Sequence, residues 1–324
     1  MKNILVIAET AQGVPLAVTC ELLGLARTLA SGTGGAVCAA VLGGGDPQAL
    51  IAGGADRVFV VKQPESGDYY ESDVWLSALG PVLDAAEPAA ILVAHTPTGA
   101  DLAPRLAFRL KVAVATACEA VTLDGKLRVV RPCYGNKARE VLRLETVPAI
   151  VTVRAKVCDA AVPDSARKGE VIEVASPRME QTLSRVVARK LEESSASARL
   201  ESANVIVAGG RGVGGPEGFG VLEALAAVLE GAVGASRVAC DLGWCPHSWQ
   251  IGLTGKTVTP ELYIAVGISG ASHHMAGCGN SKTIVAINSD PEAAIFREAR
   301  FGIVGDFREV VPALTAEISR RRSR

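Results

Sequence analysis

Aromatic side chains make up only 4% of the 324 residues. A core filled mainly by large rings is thereby excluded, and alanine, valine, leucine and glycine must do the packing. A surplus of either sign of charge is also missing, since the formal net charge is −1. That removes the electrostatic ground for nucleic acid or an anionic membrane as partner. The one basic run, "SRRRSR" at 319–324, reads as a solvated helix end favoured by the macrodipole. No apolar run is long enough to span a bilayer, so no membrane insertion is expected. The eight cysteines form no C-x-x-C pair and no regular framework. They read as small apolar core residues of a reducing compartment. Of four histidines only His273 and His274 are neighbours, so zinc-ligand spacing is absent and no metal is expected.

What is present is a rhythm. Up to about Cys118, apolar runs alternate with helical patterns: "NILVIA" then Leu16–Leu29, "AVCAAVLG" then "DPQALIA", "RVFVV" then Val74–Leu83, "AAILVAH" then Leu102–Leu110. Alternation of this kind predicts a mostly parallel sheet with crossover helices. After Cys118, "AVTLDGKLRVVRP" makes two alternating runs around Asp124-Gly125, a hairpin signal. "AREVLRLE" and "AIVTVRA" read in the same style, as antiparallel strands completing a first domain. The opening "MKNILVIAE" reads as a buried strand rather than a cleavable signal, and the expected location is cytoplasmic.

Between about Pro163 and Ala203 the apolar density falls, and "KLEESSASARLES" has the composition of an exposed connection. The expected domains are therefore 1–195 and 196–324. The second resumes the alternation: strand "NVIVAG", helix Glu217–Leu229, strand "AVGAS", strand "LYIAVGI", a helix from Ala271, strand "TIVAIN", helix Ala293–Ala299, strand "GIVG" and a last helix from Phe307. The fold class is α/β with two domains, each a mostly parallel sheet flanked by helices, the second doubly wound.

In such sheets ligands lie outside the carboxyl ends of the strands. The first loop there, "AGGRGVGGPEGFG" at 208–220, contains Gly210-x-Gly212-x-x-Gly215, a match to the dinucleotide fingerprint that suggests NAD, with Asp241 as ribose carboxylate. Against it stand Arg211 between the glycines, and Pro216, Gly218 and Gly220 where the helix should already run. Later loops bring Ser236, Arg237, Gln250, Thr254 and Gly255, then "VGISGASHHM", in which Ser269 is placed to cap the next helix, then "INSDPEA" with Asn288 and Asp290, and Asp306. The plainer reading pairs Arg211 with Glu217 and Arg237 with Asp241, and makes Trp244 and Trp249 packing residues.

The motifs "GGRG", "VGASRVACDLGW", "QIGLTGKTVTPELYIAVGISGA", "VAINSDPEAAIF" and "GIVGDFREVVPAL" resemble the flavin-binding domain of the electron-transfer flavoprotein alpha subunit family over Val205–Leu314. "ILVAHTPTGADLAPRLAFRL" and "RPCYGNKA" extend the resemblance to the first domain. It implies bound FAD, a heterodimer with a beta subunit docked by the first domain, and an electron carrier rather than an enzyme. The implied donors are dehydrogenases such as the acyl-CoA dehydrogenases of fatty acid oxidation, and the acceptor a respiratory quinone reductase or a ferredoxin-type protein, with an anionic semiquinone between. AMP or a second FAD would belong mainly to the beta subunit, and an electron-bifurcating variant, an NAD-dependent dehydrogenase subunit or a member of a larger dehydrogenase complex are the rival readings.

Carried over residue by residue, the resemblance puts Arg237 over the isoalloxazine ring with Ser236 beside it, Thr254 near N5 and His274 near the C2 carbonyl. Arg211 matches a cofactor contact. Gln250, Ile251, Gly252, Leu253 and Gly255 share the loop of Thr254, and Ser269, Gly270, Ala271, Ser272 and His273 lead up to His274. Asn288, Asp306 and Phe307 belong to the adenosine and ribitol portion. A guanidinium and an imidazole near the N1–C2=O edge would stabilise the negative charge of one-electron reduction. Three positions depart from the family: Leu253 and His273 stand where glutamine is usual, and Ser272 replaces a bulkier apolar residue.

Overall fold

A computed structural model describes residues 3–32, 34–62, 70–134, 136–175, 187 and 197–322. Packing divides the chain into two units, Met1–Cys133 with Arg139–Arg189, and Tyr134–Ala138 with Lys190–Arg324. The expected boundary at 195 falls outside the described residues.

The first unit holds a seven-stranded sheet. Across it the order is Glu170–Ala175, Arg57–Lys62, Val37–Leu42, Asn3–Ala8, Pro88–Ala94, Ala149–Val153 and Val114–Cys118, with every pairing parallel. Its strands are near-continuous apolar runs because both faces are covered. Period-2 alternation sends Ile4, Val6 and Ala8 to one face, against Leu22, Leu23 and Ala26 of helix Ala17–Ser31. Leu5 and Ile7 go to the other, against Leu79 of helix Ser72–Ala86 and Leu102 and Leu106 of helix Pro97–Leu110.

The hairpin around Gly125 forms as expected, Ala120–Asp124 pairing antiparallel with Lys126–Cys133. The segment Ala149–Val153 differs from its antiparallel reading. All five of its residues are buried, and it inserts parallel between Pro88–Ala94 and Val114–Cys118. A run with no solvated face belongs inside a two-sided sheet. Strand Glu170–Ala175, unforeseen in the polar stretch, extends the opposite edge.

The second unit is a five-stranded parallel sheet in the order Ala232–Ala235, Val205–Gly209, Leu262–Val266, Thr283–Asn288, Phe301–Val304. One face packs on helices Pro216–Val228 and Phe307–Arg322 through Phe219, Leu222 and Val311, the other on helix Ser272–Cys278 through Met275 and Cys278. The basic helix end is put to local use: Arg320 and Arg321 pair with Glu317, and Arg322 Nη1 donates to Val228 O at 2.6 Å. It thus satisfies a carbonyl at the end of a neighbouring helix. Asn136, which belongs to this unit, donates from Nδ2 to Ala276 O at 3.3 Å.

Two expectations need correction. The helix expected over Ala293–Ala299 is a single 3₁₀ turn, Ala294–Arg297, because Ile295 is buried and its N–H is drawn to Ser269 O at 3.0 Å. Ser269 is therefore no helix cap: the next helix begins at Ser272, with Ala271 at its N-cap and no side-chain cap bond. Among the described residues no helix is long and apolar enough to cross a membrane.

Two glycines test how this unit is built. A Cβ on Gly220, inside helix Pro216–Val228, would meet nothing within 4 Å. Gly220→Ala is expected to raise stability by about 0.5–1 kcal/mol. Gly267 has φ +61°, and its Cβ would lie 2.8 Å from the carbonyl carbon of Gly212. Gly267→Ala is expected to lower stability by more than about 2 kcal/mol in urea unfolding.

Candidate functional site

In the second unit the strand order reverses between Val205–Gly209 and Leu262–Val266, and the crevice of a doubly wound sheet lies outside the carboxyl ends of those two strands. The loops leaving them touch backbone to backbone. Gly210 N donates to Val266 O at 2.9 Å and Gly212 N to Gly267 O at 3.0 Å. A Cβ on Gly210 would lie 2.3 Å from Gly267 O, and one on Gly212 2.8 Å from Gly267 Cα. At 210 and 212 the glycines of the fingerprint let one loop approach the other.

The fingerprint fails at the same place. Val213 N and Gly214 N donate within the turn, to Gly210 O and Arg211 O, so these amides are consumed before any phosphate arrives. A short 3₁₀ turn, Arg211–Val213, occupies the position where a dinucleotide helix would start, and the α-helix begins only at Pro216.

Beside this contact opens a cavity of about 610 Å³, within the range of sites for small molecules and cofactors. Of the residues singled out from sequence it is lined by Arg211, Ser236, Arg237, Gln250, Ile251, Gly252, Leu253, Thr254, Ser269, Ala271, His273, His274, Asn288 and Asp290. Gly255, Gly270 and Ser272 do not line it. Asp306 and Phe307 border instead a hollow of about 100 Å³ that shares Gly212, Gly267 and Asn288 with the larger cavity. Gly212, singled out for the dinucleotide fingerprint, is also on the wall, whereas Val238, Gly267, Ile268 and Ala293 were not foreseen; only their places in or beside the strand-end loops signalled them.

Local chemistry differs around the wall. Arg237 Nε lies 3.3 Å from Asp241 Oδ2, one helical turn on, and both side chains are more than half exposed. Such a pair is screened and holds the guanidinium only weakly. Arg211 has no ion pair among the described residues, the expected one to Glu217 included. Gln250 is buried and donates from Nε2 to Thr254 Oγ1 at 3.0 Å, which leaves the threonine proton free to point elsewhere. Asn288 is spent on its surroundings: Nδ2 donates to Ile268 O at 2.9 Å, and Oδ1 accepts from Asp290 N. Asp306 accepts from Arg308 N at 2.8 Å at the start of the last helix. Trp249 packs against Phe219, with ring centroids 6.2 Å apart, and does not line the cavity. Leu253 and His273, two of the departures, are exposed on the wall.

His274 differs from its neighbour. It is buried, and its Nε2 lies 2.9 Å from the hydroxyl of Tyr263, a wholly buried residue of strand Leu262–Val266. Its Nδ1 is buried with no hydrogen bond of good geometry, the Ile251 backbone being the group beside it. Burial holds the imidazole pKa down at about 4, the Ile251 backbone opposing this in part. Desolvation thus favours the neutral form of this imidazole. Tyr263 was missed from the sequence; the available signal was a phenol within an otherwise aliphatic buried strand, whose hydroxyl must find a partner.

The sign of the resulting pH dependence follows. Unfolded His274 takes up a proton near pH 6.5 but the folded ring does so only near 4. Stability is therefore complete above the unfolded value and is lost as pH falls between the two, by at most about 3 kcal/mol. Urea unfolding of His274→Gln is expected to show a shallower loss over that window than the parent chain. Parallel profiles would mean that another group carries it.

Comparison with known proteins matches residues 4–179 to the electron transfer flavoprotein domain and residues 199–279 to the electron transfer flavoprotein FAD-binding domain. The electron transfer flavoprotein subunit alpha of Thermoanaerobacterium thermosaccharolyticum is 40% identical, with 98% of each chain covered. That of Bacillus subtilis is 41% identical over 98% of this chain and 97% of its own. The Megasphaera elsdenii subunit alpha is 38% identical over 99% and 97%. The cavity's donor set, two guanidiniums, three hydroxyls and a buried imidazole, fits the polar ring edge and anionic chain of FAD, the two guanidiniums outweighing the Asp290 carboxylate on the same wall. The chain belongs to the electron transfer flavoprotein alpha subunit family, and its cofactor is FAD.

Proposed function

We propose that the chain is the FAD-bearing half of a cytoplasmic heterodimeric electron carrier with no substrate turnover of its own. Residues 196–324 hold FAD and residues 1–195 dock the beta subunit. Electrons come from dehydrogenases such as acyl-CoA dehydrogenases and leave, through an anionic semiquinone, to a respiratory-chain or ferredoxin-linked acceptor. One observation carries this reading: a single cavity at the switch point gathers Arg211, Arg237, Thr254 and His274.

Bound FAD supplies the capacity to take and release electrons, and the side chains govern how readily it does so. The Arg237 guanidinium offsets negative charge gained by the ring, and its partial pairing with Asp241 moderates that effect. Thr254 accepts from Gln250, which leaves its own proton for a ligand in the cavity. His274 offers a hydrogen bond without bringing a buried charge. Arg211 has no ion pair among the described residues to compete with an anionic ligand. The NAD reading is disfavoured because the amides it needs donate elsewhere.

Two arginines separate binding from tuning. Arg211→Ala is expected to weaken FAD retention by about 10- to 100-fold, the range for losing a charged hydrogen bond. Arg237→Ala is expected to lower the first-electron potential by roughly 60 mV, the equivalent of 1.4 kcal/mol for one electron. Asp241→Asn is expected to raise it. Unchanged retention and potentials would assign both arginines to local pairing, and enhanced NADH fluorescence on titration would revive the dehydrogenase reading.

A further inference from the structure

Three polar atoms meet in the core below the cavity: the Tyr263 hydroxyl, His274 Nε2 and Cys278 Sγ. The phenol cannot swing away. Tyr263 lies on the central strand, in register with Ile206 on one side and Ile284 on the other, and is wholly buried in the core cluster that includes Ile251, Met275 and Cys278. The Cys278 thiol donates to His274 O, with Sγ and O 3.6 Å apart. Its sulfur is a weak acceptor, whereas a neutral imidazole nitrogen is a strong one. Of the two acceptors beside the phenol, Cys278 Sγ and His274 Nε2 at 2.9 Å, the imidazole nitrogen has the stronger claim on its proton.

A neutral imidazole that accepts at Nε2 carries its own hydrogen at Nδ1. Nδ1 is the atom left without a hydrogen bond of good geometry, with only the Ile251 backbone beside it, in a residue that lines the cavity. We propose that Tyr263 is a positioning residue of the cofactor site: by donating to Nε2 it fixes His274 as the Nδ1–H tautomer, so that the ring offers FAD an uncharged hydrogen-bond donor. This rests on the reading of the cavity as the FAD site. Tyr263 does not line the cavity, and its effect passes entirely through His274. Burial of the imidazole, which holds it neutral, supports the same arrangement. A donor held by a central strand is already oriented before the cofactor ring gains charge.

The test uses the full-length chain with its beta subunit and FAD, labelled with nitrogen-15 at its four histidines. In the parent protein the His274 ring is expected to carry a single proton at Nδ1. In Tyr263→Phe it is expected to become a mixture of tautomers, with a fall in the first-electron potential. Ile206→Val, a core change beside the same ring, should leave the tautomer alone. A parent ring protonated at Nε2, a Tyr263→Phe ring still wholly Nδ1–H, an unchanged potential despite an altered tautomer, or the same loss of tautomer in Ile206→Val would each overturn the proposal. Should removing FAD leave the His274 ring signals unmoved, the placement of His274 against the cofactor would fail instead, while the tautomer comparison would still report on Tyr263.

Discussion

The contact between Gly212 and Gly267 sets the geometry of the second unit's crevice. Two strand-end loops can approach to backbone distance only where neither carries a Cβ, and Gly267 also needs a positive φ to turn away from its strand. With the loops drawn together, Arg211 is brought to the edge of the cavity and Ile268 to its wall. The larger cavity and the smaller hollow also become neighbours that share both glycines. A side chain at either position would separate the loops and open the crevice between them.

Burial then divides the polar groups of the wall into two kinds. Arg237 and His273 sit in water, where charge is cheap and an ion pair weak. His274 sits in the core, where the charged form is penalised and each nitrogen needs a partner. The same sequence of two adjacent histidines therefore supplies an exposed imidazole and a buried neutral donor, because one helical step of about 100° turns one outward and the next inward. Gln250 and Thr254 show a further version of the same logic: a buried amide spends a donor on a hydroxyl, and the direction left to the hydroxyl proton follows.

Much of this architecture was legible in the chain. Alternating apolar runs and helical patterns marked two parallel sheets, and Asp124-Gly125 marked the hairpin. The loops at the strand ends named most of the cavity wall, since a doubly wound sheet places those loops together whatever their distance in sequence. Ala149–Val153 was misread because a short apolar run shows no period that separates an outer antiparallel strand from an inner parallel one. Ala293–Ala299 was misread because its helical composition yields to a tertiary hydrogen bond from Ile295 to Ser269.

The sequence by itself determined the layer type, the run of loops facing the crevice and the family, for these depend on periodicity and on motifs contiguous in the chain. Only the tertiary structure decided what the glycines approach, which histidine is neutral and which residue orients it. Those answers depend on atoms distant in sequence: Gly212 and Gly267 are joined by the crossing of two strands, and Tyr263 reaches His274 from the central strand across to a helix. Hydrogen bonding and desolvation act over a few ångströms of space, and no local pattern records which groups folding will bring that close.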